Sequence, residues 1–237
     1  MGQSKSPLMK RNKDLGCTVH PLNLMENSIV VDLTKFRKKP LLGILRGIPP
    51  VALEPLFEAI VASGLQTVEI TMNTEGAAGL IRSAVRRYGK QLMIGAGTVL
   101  TLRDLKTALA AGASFIVSPV VVPAVIEYCA KHKIPVFPGA LVPQDIYAAW
   151  QAGATMVKVF PAGCFGPNYF KELKGPFRQI DLLACGGVTP ENTKDYFKNG
   201  ASAIAAGSSV FRKEWIASGK FHLIRNRIQA YLKALPH

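Results

Sequence analysis

The strongest constraint on the fold is a repeat of short apolar segments that begins near residue 41. Eight segments rich in β-branched residues follow one another about 20 to 26 residues apart, and stretches with helical periodicity separate them. They are residues 42–45, 67–71, 92–95, 115–117, 135–137, 156–160, 181–184 and 203–206. Alternating strands and helices are typical of a parallel sheet, and strands that are apolar throughout indicate a sheet covered on both faces.

The count of these units predicts an α/β protein whose single small domain is a closed (β/α)8 TIM barrel. Glycines at 64, 112, 153 and 200 follow predicted helices, where they can adopt the left-handed conformation that ends a helix. The alternative is a doubly wound open sheet, which usually carries its glycine-rich phosphate loop after the first strand. Here the glycines cluster after the seventh and eighth strands, which favours the barrel.

Three regions follow from this pattern. Residues 1–40 form an N-terminal extension, mobile over 1–20, with a possible helix at 27–36 that closes the bottom of the barrel. The barrel occupies 41–212, and the amphipathic segment 213–237 is predicted to be a helix packed on its outside.

The net charge of +14 lies mainly at the two ends of the chain. Residues 1–40 carry eight Lys and Arg against three Asp and Glu, and residues 212–237 carry six against one, so each end has a net charge of +5. A nucleic-acid-binding protein more often has one basic stripe with aromatic residues in it. The distribution therefore favours solvated basic ends.

Cysteine spacing and hydropathy predict a cytoplasmic protein. Cys17, Cys129, Cys164 and Cys185 form no C-x-x-C pair and have no histidine at zinc spacing, so we expect reduced thiols and no metal. No apolar run approaches the roughly 18–20 residues of a spanning helix, and we expect neither a signal peptide nor a membrane partner.

Lys158 is the most informative single residue. It lies in the middle of the strand predicted at 156–160, and lysine is rarely buried unless it is paired or functional. Burial favours the neutral amine, which is the form that makes an imine with a ketone. Alternation along the second strand turns Glu69 into the barrel if Val68 and Ile70 face the helices. The pair predicts either imine chemistry with proton transfer or a structural Lys158–Glu69 ion pair.

Other strand ends predict an anion site. Arg46 ends the first strand with a guanidinium suited to a carboxylate or phosphate, and Thr98 ends the third with a hydrogen-bond donor. After the seventh and eighth strands, backbone N–H groups are presented by Gly186, Gly187, Gly207 and Ser208. This is the usual phosphate position in such barrels.

The motifs at these positions resemble those of a known family. The matching stretches are ILRG at 44–47, VEIT at 68–71, GAGTV at 95–99, IVSP at 116–119, PG at 138–139, KVFPA at 158–162, GGV at 186–188 and GS at 207–208. Their order and spacing resemble those of the KDPG/KHG aldolases, the 2-keto-3-deoxy-6-phosphogluconate and 4-hydroxy-2-oxoglutarate aldolases. The resemblance covers residues 40 to 212 and implies a class I, imine-forming aldolase that uses no metal or other cofactor and assembles as a homotrimer.

The resemblance also implies roles for individual residues. Lys158 would be the Schiff-base lysine, Glu69 would move protons through a bound water, and Thr98 would contact the pyruvate carboxylate. The phosphate end of the substrate would meet Arg46, Gly186, Gly187 and Ser208. The remaining substrate-binding residues would be Asn73, Pro119, Phe160 and Gly207.

Two positions depart from the family pattern. After the strand-two glutamate the family usually has Thr-Leu-Arg-Thr, whose arginine binds the keto-acid carboxylate, and here Asn73 takes the place of that arginine. Asn73 can hydrogen-bond a carboxylate but supplies no charge, and charge-assisted bonds are roughly twice as strong. Cys185 stands where the family often has threonine. Both changes bear on substrate identity and leave the lysine chemistry intact.

We therefore expect an aldehyde-lyase that cleaves a 4-hydroxy-2-oxo acid to pyruvate and an aldehyde. The expected substrate is 2-keto-3-deoxy-6-phosphogluconate, giving glyceraldehyde 3-phosphate, or 4-hydroxy-2-oxoglutarate, giving glyoxylate. One alternative is a phosphate-binding isomerase or epimerase in which Lys158 stays a charged electrophile. Another is a catalytically silent barrel that docks to RNA or an anionic membrane through its basic ends.

Overall fold

Within residues 33–236, the part of the chain that the computed structural model describes, nine parallel strand segments form one sheet. They are β1 (Leu41–Leu45), β2 (Thr67–Thr71), β3 (Met93–Gly97), β4 (Ile116–Val117), β5 (Val136–Phe137), β6 (Gly139–Ala140), β7 (Val157–Val159), β8 (Leu182–Cys185) and β9 (Ala203–Ala206). The spatial order is β5-β4-β3-β2-β1-β9-β8-β7-β6, so neighbours in sequence are neighbours in space and β9 pairs with β1.

The ring closes through the fifth barrel strand, which Pro138 divides into β5 and β6. β5 pairs with β4, and β6 pairs with β7. Proline has no backbone N–H and interrupts the ladder, while its carbonyl accepts a hydrogen bond of 2.8 Å from the Lys158 N–H. The nine segments thus make eight barrel strands, which confirms the predicted (β/α)8 architecture and excludes the open sheet.

Helices follow the strands and cover the outside of the barrel. They are α1 (Thr34–Lys38), α2 (Leu53–Ser63), α3 (Ala77–Tyr88), α4 (Leu102–Ala110), α5 (Pro123–Lys131), α6 (Pro143–Gln151), α7 (Asn168–Lys174), α8 (Thr193–Lys198), α9 (Lys213–Ala217) and α10 (Phe221–Ala234). The four glycines expected to end helices, at 64, 112, 153 and 200, all have positive φ angles. The segment predicted as one C-terminal helix is two, because Gly219 turns the chain with a φ of 68°. Among residues 33–236, none of the helices combines the length and hydrophobicity that crossing a bilayer requires.

Two apolar clusters lie on the two sides of the sheet. The outer cluster, between strands and helices, contains Val68, Ile70, Val157 and Val159. The inner cluster fills the lower part of the barrel with Leu42, Phe115, Val117, Phe137, Met156, Leu183 and other buried side chains. Alternation along each strand therefore separates residues that pack against helices from residues that face the interior.

Helix α1 adds one aromatic side chain to the inner cluster. Phe36 is buried there and stacks on Phe137, with ring centroids 5.7 Å apart. Only the end of the predicted helix at 27–36 lies within the described residues, where it overlaps α1. The segment 1–20 lies outside them. The observed contact puts α1 against the interior of the barrel at the end opposite the carboxyl ends of the strands.

Candidate active site

Lys158 is the central residue of β7 and is only 5% exposed. Its neighbours Val157 and Val159 belong to the outer cluster, so alternation turns the lysine into the barrel. Its Nζ atom lies 5.3 Å from the centroid of the Phe160 ring, at the edge of the barrel mouth. The strand has three residues rather than the predicted five, since Met156 and Phe160 lie just outside the regular ladder.

Glu69 occupies the corresponding position on β2 and is 1% exposed. Val68 and Ile70 pack in the outer cluster, as expected, and the carboxylate faces the interior. Burial raises the pKa of Glu69 above its ordinary value of 4.5, while the positive charges of Lys158 and Arg46 act in the opposite direction. Its Oε2 atom is buried and has no hydrogen-bond partner in the described part of the chain.

Lys158 and Glu69 do not form an ion pair, so the structural alternative considered from the sequence is wrong. The ion pairs between described residues are Arg37–Asp181, Arg87–Glu54 and Arg227–Glu191, all at the surface. The lysine and the glutamate share the interior closely enough for the charge of one to shift the pKa of the other. The amine is therefore left available, with an acid nearby that can give and take protons.

Two further residues shape the space around this pair. Gly97 at the end of β3 leaves room for the glutamate, because a Cβ atom there would overlap the Glu69 carboxyl group. Cys185 at the end of β8 is buried, and burial raises the pKa of its thiol while the nearby Lys158 lowers it. Sequence reasoning noted Cys185 only as a departure from the family pattern. Its position one residue before the glycine pair is the signal that could have placed it beside Lys158.

Arg46 and Thr98 meet at the mouth on either side of β2. Arg46 is exposed, and its Nη2 atom donates to Thr98 Oγ1 at 3.4 Å. Thr98 has a φ of 55°, a left-handed conformation that is uncommon for a β-branched residue and that clusters at functional sites. The structure thus brings together two side chains that the sequence placed 52 positions apart.

The turns after β8 and β9 present backbone donors. Gly186 and Gly187 have φ angles of 86° and 78°, and a Cβ atom on Gly187 would lie 2.8 Å from the Cα atom of Gly163. A Cβ atom on Gly186 would contact the Phe160 ring, so this turn adjoins the end of the lysine strand. In the described structure, backbone N–H groups of the two turns have no acceptor, among them those of Gly187, Val188, Ser208 and Ser209. Such groups are suited to an anion.

The other residues predicted for the site lie around this centre. Asn73 is exposed and makes no hydrogen bond within residues 33–236. Pro119 packs its carbonyl group against Gly139, Phe160 is on the rim, and Gly207 and Ser208 belong to the turn after β9. Sequence reasoning missed Thr74, whose hydroxyl accepts from the Gly47 N–H at 2.9 Å and lies 3.0 Å from the Thr71 hydroxyl. These bonds hold the loop that carries Arg46.

Comparison with known proteins agrees with this geometry. The profile of the family described as KDPG and KHG aldolase matches residues 34–227. The chain belongs to this aldolase family. The 2-dehydro-3-deoxy-6-phosphogalactonate aldolase of Escherichia coli is 35% identical over 176 residues, which cover 74% of this chain and 86% of that protein. The 2-dehydro-3-deoxy-phosphogluconate aldolase of Treponema pallidum is 34% identical over 184 residues, covering 75% and 87%.

A solved structure adds a chemical comparison. The KDPG aldolase of Legionella pneumophila, with pyruvate captured as a covalent carbinolamine intermediate, superposes with a TM-score of 0.77 at 26% identity, covering 83% of this chain and 95% of that one. The protein is therefore an aldolase, which is an aldehyde-lyase. Membership in this family argues against the alternative considered from the sequence, a phosphate-binding isomerase or epimerase.

Proposed function

We propose that this aldolase cleaves a phosphorylated 2-keto-3-deoxy acid through an imine on Lys158. The observation that carries the proposal is the buried Lys158 amine, which is not paired with the equally buried Glu69 in the described structure. A lysine tied into an ion pair is a poor nucleophile, whereas a desolvated amine beside a proton carrier is suited to attack a carbonyl carbon.

The reaction begins when the Lys158 Nζ atom attacks C2 of the keto acid and forms a carbinolamine. Loss of the former ketone oxygen as water gives a protonated imine, which is an electron sink. Glu69 accepts the proton of the C4 hydroxyl, and the C3–C4 bond breaks with its electron pair moving toward the imine nitrogen. The aldehyde leaves, and pyruvate remains on the lysine as an enamine. Protonation at C3 and hydrolysis of the imine release pyruvate and the free amine.

The environment of Glu69 suits both directions of proton transfer. Burial raises the pKa of its carboxyl group above that of an exposed glutamate, which makes the carboxylate a stronger proton acceptor. The Oε2 atom has no other hydrogen-bond partner among the described residues and can serve a water molecule or the C4 hydroxyl. Glu69 is the one acidic side chain to which we assign proton transfer in this reaction.

The phosphate end of the substrate would occupy the two turns that hold Gly186, Gly187, Gly207 and Ser208. Their unpaired N–H groups and the guanidinium of Arg46 at the mouth offer hydrogen bonds and positive charge to a dianion. Thr98 would bind the pyruvate carboxylate, with Asn73, Pro119 and Phe160 lining the same mouth. We propose 2-keto-3-deoxy-6-phosphogluconate as the substrate. Its galactonate epimer, for which the Escherichia coli relative is named, is the first alternative substrate to compare with it.

We also propose that the protein acts in the cytoplasm as a homotrimer. Support for assembly comes from apolar side chains exposed on neighbouring loops after β3, β4, β6 and β7. They are Leu100, Val120, Val142 and Phe165. Side chains of this kind, grouped on one side of a barrel, are typical of subunit contacts.

Trapping with borohydride tests the lysine directly. Pyruvate and sodium borohydride should leave one reduced pyruvyl group on Lys158, located by peptide mass spectrometry. Lys158→Met should abolish the adduct. Lys174→Met is the matched control, because Lys174 is also partly buried but donates to the Ile180 carbonyl away from the mouth. An adduct on another lysine, or none in the wild type, would contradict the assignment and favour Lys158 as a fixed cation.

A further inference from the structure

Tyr231 on α10 connects the two turns that carry the unpaired N–H groups. Its side chain is fully buried in the outer cluster, outside the barrel interior. The hydroxyl donates to the Val188 carbonyl at 2.7 Å, in the turn after β8, and lies 2.8 Å from the Ser209 hydroxyl, in the turn after β9. A tyrosine hydroxyl has one proton, so the Ser209 hydroxyl donates to Tyr231.

Surface residues hold this tyrosine in place. Arg227, one helical turn before it on α10, has its guanidinium carbon 5.8 Å from the centroid of the Tyr231 ring. The same guanidinium makes two hydrogen bonds to the Glu191 carboxylate, at 3.0 and 3.5 Å. Glu191 lies just beyond the turn after β8. Helix α10 is thus attached to that turn both by a buried hydroxyl and by a surface ion pair.

Tyr231 contacts two of the residues whose backbone N–H groups have no acceptor in the described structure. Val188 and Ser209 bind the tyrosine through a carbonyl and a side-chain hydroxyl, and their backbone N–H groups have no acceptor in the described structure. The chain after β8 is further fixed by Asn192, whose amide donates to the Gly187 carbonyl at 3.0 Å. The pairing of β8 with β9 ends at Cys185 and Ala205, and beyond it the Tyr231 hydroxyl contacts both turns in the described structure.

We propose that Tyr231 is a positioning residue that holds the two turns at the spacing needed to bind the phosphate group of the substrate. The proposal rests on the proposed function, since it assumes that these turns receive the phosphate. The tyrosine acts from behind the turns and touches neither the phosphate nor the reacting carbons. Preorganised donors bind an anion more tightly than donors that must be ordered on binding.

Tyr231→Phe removes only the hydroxyl and tests the proposal. We expect the KM for 2-keto-3-deoxy-6-phosphogluconate and the inhibition constant of inorganic phosphate to rise about fivefold to tenfold, the effect of losing one or two hydrogen bonds. The kcat, the KM for unphosphorylated 2-keto-3-deoxygluconate and the borohydride adduct with pyruvate should stay unchanged. Ser209→Ala removes one of the two bonds and should act in the same direction.

Tyr169→Phe is the matched control. The Tyr169 hydroxyl also donates to a loop carbonyl, that of Leu141 at 2.6 Å, but on another side of the barrel. It should change neither phosphate constant. Equal changes for both substrates in Tyr231→Phe, or no change in either phosphate constant, would overturn the positioning role. If pyruvate leaves no adduct on the wild type, the proposed function fails. The role of Tyr231 is then decided by calorimetry, in which inorganic phosphate alone is titrated into the wild type and into Tyr231→Phe. Weaker binding by the variant supports the positioning role, and equal binding or no binding overturns it.

Discussion

Gly97→Ala is expected to displace the proton carrier while leaving the barrel folded. A Cβ atom at Gly97 would lie 2.6 Å from the Glu69 carboxyl carbon and 3.2 Å from its Cγ atom, and would overlap Oε1. Carbon atoms in ordinary contact are about 3.5–4.0 Å apart, so the carboxyl group must move by ~1 Å. The overlapping atoms are the far end of a flexible side chain rather than backbone, and β3 can therefore keep its pairing with β2.

The size of the effect follows from that displacement. A misplacement of ~1 Å in a catalytic group can reduce the rate about 100-fold, and we expect kcat to fall by this order. The KM for the phosphorylated substrate should change little, because the phosphate turns lie on β8 and β9 and not on β3. Pyruvate release can be followed by coupling to lactate dehydrogenase, and thermal unfolding checks that the variant is folded.

Gly79→Ala provides the comparison for this variant. Gly79 is exposed on α3, and a Cβ atom there would have no neighbour within 4 Å. Its replacement should leave kcat unchanged and raise stability by up to about 0.5–1 kcal/mol, the difference between glycine and alanine within a helix. A folded Gly97→Ala enzyme with kcat within about threefold of the wild type would refute the argument that Glu69 must stay where it is.

Two further predictions concern titration and reactivity. In Glu69→Gln, kcat should fall about 10²- to 10⁴-fold. Because the pKa of Glu69 is raised in the folded state, the wild type loses stability as the pH rises from 4.5 through that folded pKa. The melting temperature of the variant should match that of the wild type below this window and exceed it by a growing margin within it. A difference that does not depend on pH would contradict the burial of Glu69. With a thiol reagent, exposed Cys164 should react before Cys185 and Cys129, which are buried. Burial raises the pKa of both buried thiols, that of Cys129 to about 12. Mass spectrometry of early time points checks the order, and early labelling of Cys185 would count against it.

Much of the fold was predictable because the periodicity of the sequence matches that of the structure. Val68 and Ile70 point to the helices and Glu69 to the interior because side chains alternate along a strand, and this rule needs no tertiary information. The closure at Pro138 was not predictable in the same way. A proline between two short apolar pairs does not reveal that one pair bonds to the preceding strand and the other to the following strand.

The site was predictable in its residues and not in its contacts. A lysine within an apolar strand is informative by itself, so the sequence alone points to Lys158. Whether it pairs with Glu69 depends on a distance across the barrel, and only the structure shows that these two side chains are not among the ion pairs of residues 33–236. The role of Tyr231 was hidden for the same reason: its partner Val188 is 43 positions away, and an amphipathic pattern cannot distinguish a packing tyrosine from a bridging one.

Glu69 also explains why this interior is not optimised for stability. A buried acceptor without a partner costs about 1–3 kcal/mol, and Glu69 Oε2 is such an atom in the described structure. Moving the carboxylate onto Lys158 would remove that cost, but it would tie up in an ion pair the nitrogen that has to attack the ketone. Gly97 leaves the space beside β2 that the Glu69 carboxyl group occupies, so the buried acid has room to stay out of an ion pair with the amine, and its unfavourable burial accompanies the reactivity that we propose for Lys158.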